Sequence, residues 1–259
     1  MPRPPRKTFS AGAPPRHGVA RAISKLGLGS RTQAAGWVAE GRVRVNGRLV
    51  FDAEFPVRAG VDRVEVDGLR AAPAERIVLA LNKPRGLLTT TRDEQGRDTV
   101  YQCLRDAALP WLAPVGRLDK ASEGLLLFCN DPEWAARITG AAGPDKRYHV
   151  QVDALPDAEA LRALVVGAEL DGEFLRAKSA ILLRSGGKHA WLEIALDEGR
   201  NRQIRRLLAA QGYRVLRLVR VAIGSVALGE LGKGRWRQLD ADEIESLSPS
   251  APRAGDLPR

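Results

Sequence analysis

The chain has 259 residues, with 41 Lys and Arg against 31 Asp and Glu and a formal charge of +10. That length allows one large core or a small domain joined to a medium one, and the excess of cations points to a polyanionic partner. The two cysteines, Cys103 and Cys129, have no paired spacing, which argues against a disulfide framework or a zinc site. No apolar run approaches the roughly 18 residues a membrane span needs, so a soluble, cytoplasmic protein without membrane contact is expected.

Met1 to Arg16 carries Arg3, Arg6, Lys7 and Arg16, no acid, and five prolines. Such a segment buries too little to order itself, so residues 1–16 read as a basic disordered arm, either touching phosphates or simply solvated. A first domain is expected over 17–70. Val19, Ala22, Ile23 and Leu26, then Ala34 and Val38, recur at helical spacing, predicting two short helices broken at Gly27 to Ser30, with Ser30 or Thr32 capping the second. Gly41 to Val50 reads as strand, Asn46-Gly47 hairpin turn and strand, continued through Val64, Val66 and Leu69. Ala71 to Arg76 holds Pro73 and little to bury, which places a linker there.

A second domain is expected over 77–246, with a tail over 247–259. Ile77 to Leu81 is a continuous apolar run, as in a central strand, followed by the turn Asn82-Lys83-Pro84-Arg85-Gly86. Thr89 to Asp98 is polar and reads as a loop; a short helix begins at Val100 to Leu104. Trp111 to Val115 and Leu125 to Phe128 predict short buried strands on either side of a polar turn with Asp119 at its crest. On residue type alone, such an Asp caps the turn or pairs with Arg117 or Lys120. Trp134 to Thr139 is helical in pattern, and Gly140 to Pro144 ends it. In Lys146 to Val152, alternation puts Tyr148, Val150 and Val152 on one face. Pro156 to Val166 predicts an amphipathic helix, and Ala180 to Leu183 and Trp191 to Leu196 predict strands joined through Gly186-Gly187. Asn201 is placed to cap a further helix whose inward stripe is Ile204, Leu207, Leu208 and Gln211, closed by Gly212. Arg202, Arg205 and Arg206 lie on its other side; Arg205 borders the stripe and is the cation most readily turned inward. Leu216 to Leu228 predicts a last pair of strands.

Two resemblances follow. Ser30-Arg31 and the run Gly41-Arg42-Val43-Arg44-Val45-Asn46-Gly47 resemble the small RNA-binding module first known from ribosomal protein S four, with a departure at Gly36-Trp37, where such modules carry helix-favouring residues. The resemblance implies that Arg21, Lys25, Arg31, Arg42 and Arg44 present a basic face to RNA phosphates; taken singly, each reads equally well as a solvated charge. The second rests on Gly116-Arg117-Leu118-Asp119 followed by Ser122 to Leu127, on Asn82-Lys83-Pro84-x-Gly86, on Lys146-x-Tyr148, and on Glu198-Gly199-Arg200-x-x-Gln203-Ile204-Arg205-Arg206. Together these resemble the RsuA/RluB-type pseudouridine synthases of ribosomal RNA, over roughly residues 17 to 240.

That resemblance implies an α+β fold: the small helix-hairpin domain, then a catalytic domain with a bent, mixed, mainly antiparallel sheet and a central cleft. It implies Asp119 as catalytic carboxylate, Tyr148 stacking on the target base and helping remove its proton at carbon 5, and Arg205 paired with Asp119. Arg117, Leu118 and Ile223 would line the substrate pocket. Lys83, Arg92, Arg97 and Arg202 would face RNA, although Lys83 reads equally as a cover for its turn. The partner implied is ribosomal RNA or a pre-ribosomal particle, the large subunit favoured over the small, acted on by a monomer.

The chemistry agrees with the residue types. Moving uracil from nitrogen 1 to carbon 5 adds no atom and transfers no electron to an acceptor, so neither cofactor nor metal is expected; it needs a carboxylate beside the ribose, acting as nucleophile or as base, and an aromatic face for a base swung out of its stack. The rivals are a non-catalytic RNA-binding or ribosome-assembly protein, an RNA methyltransferase, and a hydrolase. The first has no use for Asp119, Tyr148 and Arg205 in one cleft, the second lacks a glycine-rich donor site, and for the third His17, His149 and His189 stand in unrelated settings.

Overall fold

The computed structural model describes residues 16–58, 60–72, 75–90, 95–105 and 107–247. The chain divides into two compact units, Met1–Ala74 and Glu75–Arg259. Among the described residues no helix is long and apolar enough to cross a membrane.

In the first unit β1 (Arg16–Gly18) leads into α1 (Val19–Lys25) and α2 (Arg31–Ala39), followed by β2 (Val43–Val45), β3 (Arg48–Leu49), β4 (Pro56–Arg58), β5 (Val64–Val66) and β6 (Leu69–Arg70). Ser30 begins α2 with a reciprocal cap: its hydroxyl accepts from Gln33 N at 3.0 Å and Gln33 Oε1 accepts from Ser30 N at 2.9 Å. Val19, Ile23, Ala34, Val38, Val43 and Val57 are fully or almost fully buried and form the core. At Gly36 an added Cβ would meet nothing within 4 Å, so the glycine is not required by packing; its neighbour Trp37 packs over Gly29 and under the Arg42 guanidinium. Asn46 and Gly47 both have positive φ, 50° and 79°, as a two-residue hairpin turn demands. One boundary is corrected: Arg16, assigned above to a disordered arm, is a strand residue opposite Arg58.

The second unit is α+β. It comprises β7 (Val78–Lys83), a 3-10 turn (Val100–Leu104), β8 (Ala113–Val115), β9 (Glu123–Cys129), α3 (Pro132–Thr139), β10 (Lys146–Val152), α4 (Ala158–Val166), the hairpin β11 (Ala168–Leu170) and β12 (Glu173–Leu175), β13 (Ser179–Ser185), β14 (Ala190–Leu196), α5 (Gln203–Ala210), β15 (Val215–Ile223), β16 (Val226–Ala227), β17 (Trp236–Gln238) and α6 (Ala241–Ser246). One sheet runs β13-β14-β10-β15-β9-β7-β17, with β16 on β15 and β8 on β9. All its pairings are antiparallel except β15 with β9. There Gly124 lies opposite Arg220. Its φ is +99°, and a Cβ would stand 2.3 Å from Arg220 O, so only glycine lets the two strands meet.

The all-buried strands β7 and β9 carry apolar layers on both faces. Leu79, Leu81, Leu126 and Phe128 join the cluster that also takes Tyr148, Val150 and Leu164 and the α5 residues Ile204, Leu207 and Leu208, while Val78, Ala80, Leu125 and Leu127 pack with Trp134 and Ile138 of α3. Burial of one such side chain contributes roughly 1.5–3 kcal/mol, so the Ile204, Leu207 and Leu208 stripe is ample to fix α5 against the sheet. Three expectations change here. Glu75 and Arg76, read as linker, are tied to the second unit: Asn130 Nδ2 donates to Glu75 O at 2.8 Å and Arg76 pairs with Asp131 at 2.7 Å. Leu247, read as tail, is 1 % exposed in the second core. Asn201 is not the cap of α5; the N-cap is Arg202, in the left-handed region at φ 49° with no side-chain cap, because the Gln203 side chain instead accepts from Arg200 N at 3.1 Å and pins the entry to the helix.

Candidate active site

The Asp119 turn is held from beneath. Lys83 ends β7 fully buried, and its Nζ donates to Ser122 O at 2.9 Å and to Asp119 O and Pro84 O at 3.2 Å each. Thr89 Oγ1 donates to Leu118 O at 2.7 Å, and Gly86 N donates to Lys120 O at 2.8 Å. Burial pushes the Lys83 amine down to about 8, against the pull of Asp119, Cys103 and Glu123. Lys83 is therefore not a phosphate contact: an ammonium with no exposure and three backbone acceptors braces the turn, the second of the two readings above. Glu123, next along, is 3 % exposed and accepts from Arg217 Nε at 2.9 Å and Lys233 Nζ at 2.8 Å. Burial alone would raise its pKa, but these two cations outweigh burial and hold the carboxyl below its ordinary range.

Above the turn a cavity of about 180 Å³ opens at the β9/β15 junction. Arg117, Leu118, Asp119, Tyr148, Arg202, Arg205 and Ile223 all line it. Tyr148 is 8 % exposed and belongs to the main core cluster, with only one side given to the opening. Leu118 and Ile223 are buried apolar lining, and Arg117 is an exposed cation at its edge. On the other side of Asp119 lies a groove of about 560 Å³ with Thr89, Arg97, Arg117, Lys120 and Arg202 on its walls.

The expected direct pair between Asp119 and Arg205 is absent and is replaced by another. Arg202 Nη1 stands 3.9 Å from Asp119 Oδ2, with the two side chains 54 % and 30 % exposed, a separation at which a solvated pair contributes little. Arg205, one turn further into α5, sends its terminal nitrogens toward Ala121 O at 3.4 Å and Val215 O at 3.5 Å, and its Nε is buried without a partner. Burial and then Arg202 lower its pKa, while Asp119 opposes them from beyond contact. Arg202, the left-handed residue at the start of α5, is thus the arginine nearer the carboxylate.

Among the cavity residues given no site role in the sequence reading are two buried cations, Lys146 of the Lys146-x-Tyr148 motif and Arg220. A signal existed for each. Lys146 shares the alternating face of Tyr148, and Arg220 falls between Leu218 and Ala222 on the inward face of β15, where a charge breaks the apolar pattern.

The remaining cations differ in their freedom. In the first unit Arg21 is exposed, Arg31 stands 4.0 Å from Glu54, Lys25 Nζ lies 3.4 Å from His17, and Arg44 donates to Gly47 O at 3.1 Å. Arg42 is committed: it donates to both oxygens of Asp67, at 2.8 and 2.6 Å, and to Glu40 at 3.1 Å, so its charge is already answered within the chain. Arg92 lies outside the described residues. Among the described residues no group of three or more His, Cys, Asp or Glu side chains is placed to hold a metal ion.

A carboxylate and a tyrosine face in one cavity on a mixed sheet, preceded in the chain by a small helix-hairpin unit, define a class of RNA-modifying protein. The chain belongs to the RNA pseudouridylate synthase family, whose model matches residues 77–210, and it carries an S4 domain matched over residues 19–64. It is 38 % identical to an RNA pseudouridine synthase of Aquifex aeolicus named as uncharacterized, over 87 % of this chain and 91 % of that protein. It is 34 % identical to the ribosomal large subunit pseudouridine synthase B of Bacillus subtilis, over 88 % of this chain and 93 % of that one. A crystal structure described as a pseudouridylate synthase superposes with a TM-score of 0.62 at 30 % identity, covering 89 % of this chain and 99 % of the other.

Proposed function

We propose that this enzyme converts one specific uridine of large-subunit ribosomal RNA to pseudouridine in the cytoplasm, as a monomer and without a cofactor. The observation that carries the reading is the meeting of Asp119 and Tyr148, from distant stretches of chain, in one cavity with an apolar floor at Leu118 and Ile223. The relative in Bacillus subtilis supports the choice of ribosomal subunit.

The target nucleotide leaves its stack and its base enters against Tyr148, which receives the ring and helps take the carbon 5 proton. Asp119, on a turn pinned by Lys83, Thr89 and Gly86, faces the ribose and opens the bond from C1′ to N1. Arg202 and Arg205 keep positive charge close to the carboxylate, which favours the approach of RNA phosphates to the cleft. Exposed cations of the S4 unit, Arg21 and Arg31 among them, add affinity for the RNA backbone.

The test is release of tritium from ribosomal RNA labelled at uridine carbon 5, with the site mapped by carbodiimide-dependent primer extension. Wild-type protein should release label from one position of large-subunit RNA, and Asp119→Asn should release none while still binding RNA. Equal release by both proteins would remove Asp119 from the chemistry, and modification confined to small-subunit RNA would move the substrate.

A further inference from the structure

Two cations in the cavity have no part in the mechanism above. Lys146 and Arg220 are 8 % and 5 % exposed, and both line the space shared by Asp119 and Tyr148. The β10–β15 register sets Tyr148 opposite Arg220 and Lys146 opposite Ile223, so the two cations border the tyrosine from its own strand and from the next. Among the described residues neither has a carboxylate at ion-pair distance. Asp145 and Asp197 act on Lys146 only from further off, and each is engaged elsewhere, with Lys178 at 2.6 Å and Arg176 at 3.7 Å. The Lys146 ammonium donates to no group among the described residues. Arg220 donates from Nε to Leu125 O at 2.7 Å, and one terminal nitrogen is buried with no partner.

Two like charges set in a largely buried wall, with no counter-ion beside them, are costly. An unpaired buried ion loses several kcal/mol of hydration, and apolar side chains of similar volume would fill the space at less cost. Burial and the neighbouring Arg220 accordingly push the Lys146 amine below its ordinary pKa. Such a pair gains its missing counter-charge when a negative group enters the cavity during the reaction.

We propose that Lys146 and Arg220 form a seat for the uracil ring while it is detached from the ribose and carries negative charge. The inference rests on the isomerase reading above. When the bond between C1′ and N1 breaks, its electron pair stays on the ring and spreads over N1, O2 and O4, whether Asp119 displaces the base or first removes a ribose proton. The two cations meet that charge and keep the loose ring from escaping. Once the ring has turned, C5 supplies the pair for its new bond to C1′, as Asp119 either leaves C1′ with its own bonding pair or returns the proton it took from the ribose; the C5 proton is lost and N1 takes one up, so the product has the atoms and electrons of the substrate. Neutral uridine in the starting RNA gains less from the seat than the anion does, and the difference is catalysis.

The experiment uses the full-length protein, saturating RNA and single-turnover conditions, with uridine or 5-fluorouridine at the target position. Lys146→Met should slow consumption of the N1-linked nucleoside on the order of a hundred-fold, with unchanged RNA affinity and a melting temperature equal to or above the wild type. Lys146→Arg should restore most of the rate, and Arg220→Gln should be slowed as Lys146→Met is. Fluorine at carbon 5 withdraws charge from the detached ring, so both slow variants should lose less on 5-fluorouridine than on uridine. Wild-type rates in Lys146→Met and Arg220→Gln, equal losses on the two nucleosides, or an Arg variant as slow as the Met variant while melting normally would each overturn the seat. Wild-type protein that leaves every uridine intact would instead overturn the underlying reading; active wild type, inert Asp119→Asn and unimpaired Lys146→Met would remove the seat alone.

Discussion

The first unit and the cavity of the second treat positive charge in opposite ways. Around β2 and β5 the cations stand in water and answer nearby acids, as Arg42 answers Asp67 and Glu40 and Arg63 answers Glu65. In the second unit, Lys83 beneath the Asp119 turn and Lys146 and Arg220 on the cavity wall are almost wholly enclosed, and of these three Lys83 alone has three acceptors. Charge at the surface adds attraction over a Debye length of about 8 Å at physiological salt and is readily screened. Charge inside a low-dielectric pocket acts at closer range and with greater force, so its placement defines chemistry rather than affinity.

Mutation can break this contrast, beginning with the interior. Asp119→Asn should lower the single-turnover rate by on the order of 10³-fold or more, with unchanged RNA affinity by filter binding, since it removes a group that acts only on the reacting sugar. Next in size, Lys83→Met leaves the carbonyls of Ser122, Asp119 and Pro84 without their shared donor; it should destabilise the second unit by about 2–4 kcal/mol in urea unfolding and slow catalysis by loosening the turn. The same lysine gives a pH signature. Its folded pKa of about 8 lies below its ordinary 10.5, so between these values the unfolded chain holds a proton that the folded chain has released. Its contribution to stability should therefore rise with pH across that window, by up to about 1.4 kcal/mol per pH unit. Subtracting the Lys83→Met profile from that of the wild type isolates this slope, and a flat difference would show that the carbonyls keep the amine protonated.

Smaller effects belong to the exterior. Arg21→Ala combined with Arg44→Ala should weaken RNA binding several-fold and reduce the salt dependence of log K by about 1–2 units of slope, with no change in saturated rate. Arg42→Ala should change RNA affinity least of the candidate cations, because Asp67 and Glu40 already take its guanidinium. If Arg42→Ala proves as damaging as the double variant, the line between balanced and free surface charge is misplaced.

Much of the frame was legible because it depends on local pattern. Lys146 to Val152 alternates, Asn46-Gly47 demands its hairpin, and Ser30 or Thr32 is placed to cap α2; the first two appear with that geometry, and of the two candidate caps it is Ser30 that serves. What escaped depends on partners distant in sequence or on backbone detail. β17 is a three-residue strand that exists through pairing with β7, Trp236 opposite Leu81. The β11–β12 hairpin carried a local mark that was passed over, Asp171-Gly172 with φ of 53° and 76°. Within the site, Asp119, Tyr148 and Arg205 line one cavity, but that Arg202 stands nearer Asp119 than Arg205 does is a detail of the helix entry that no periodicity reveals. Lys83 stayed open to two readings because a lysine at the end of an apolar run usually reaches solvent, whereas here the strand enters a layer covered on both faces.

The bracing beneath Asp119 has a consequence for the nucleic acid. A turn fixed by one ammonium, one hydroxyl and one amide to the end of a fully buried strand has little freedom to reshape itself around an arriving helix. Distortion then falls on the RNA, whose nucleotide must swing out and whose backbone must bend to meet a stationary acid. Extrusion costs least where a base is mismatched or already unpaired, so stiffness in the protein becomes a filter that favours loops and bulges over regular duplex.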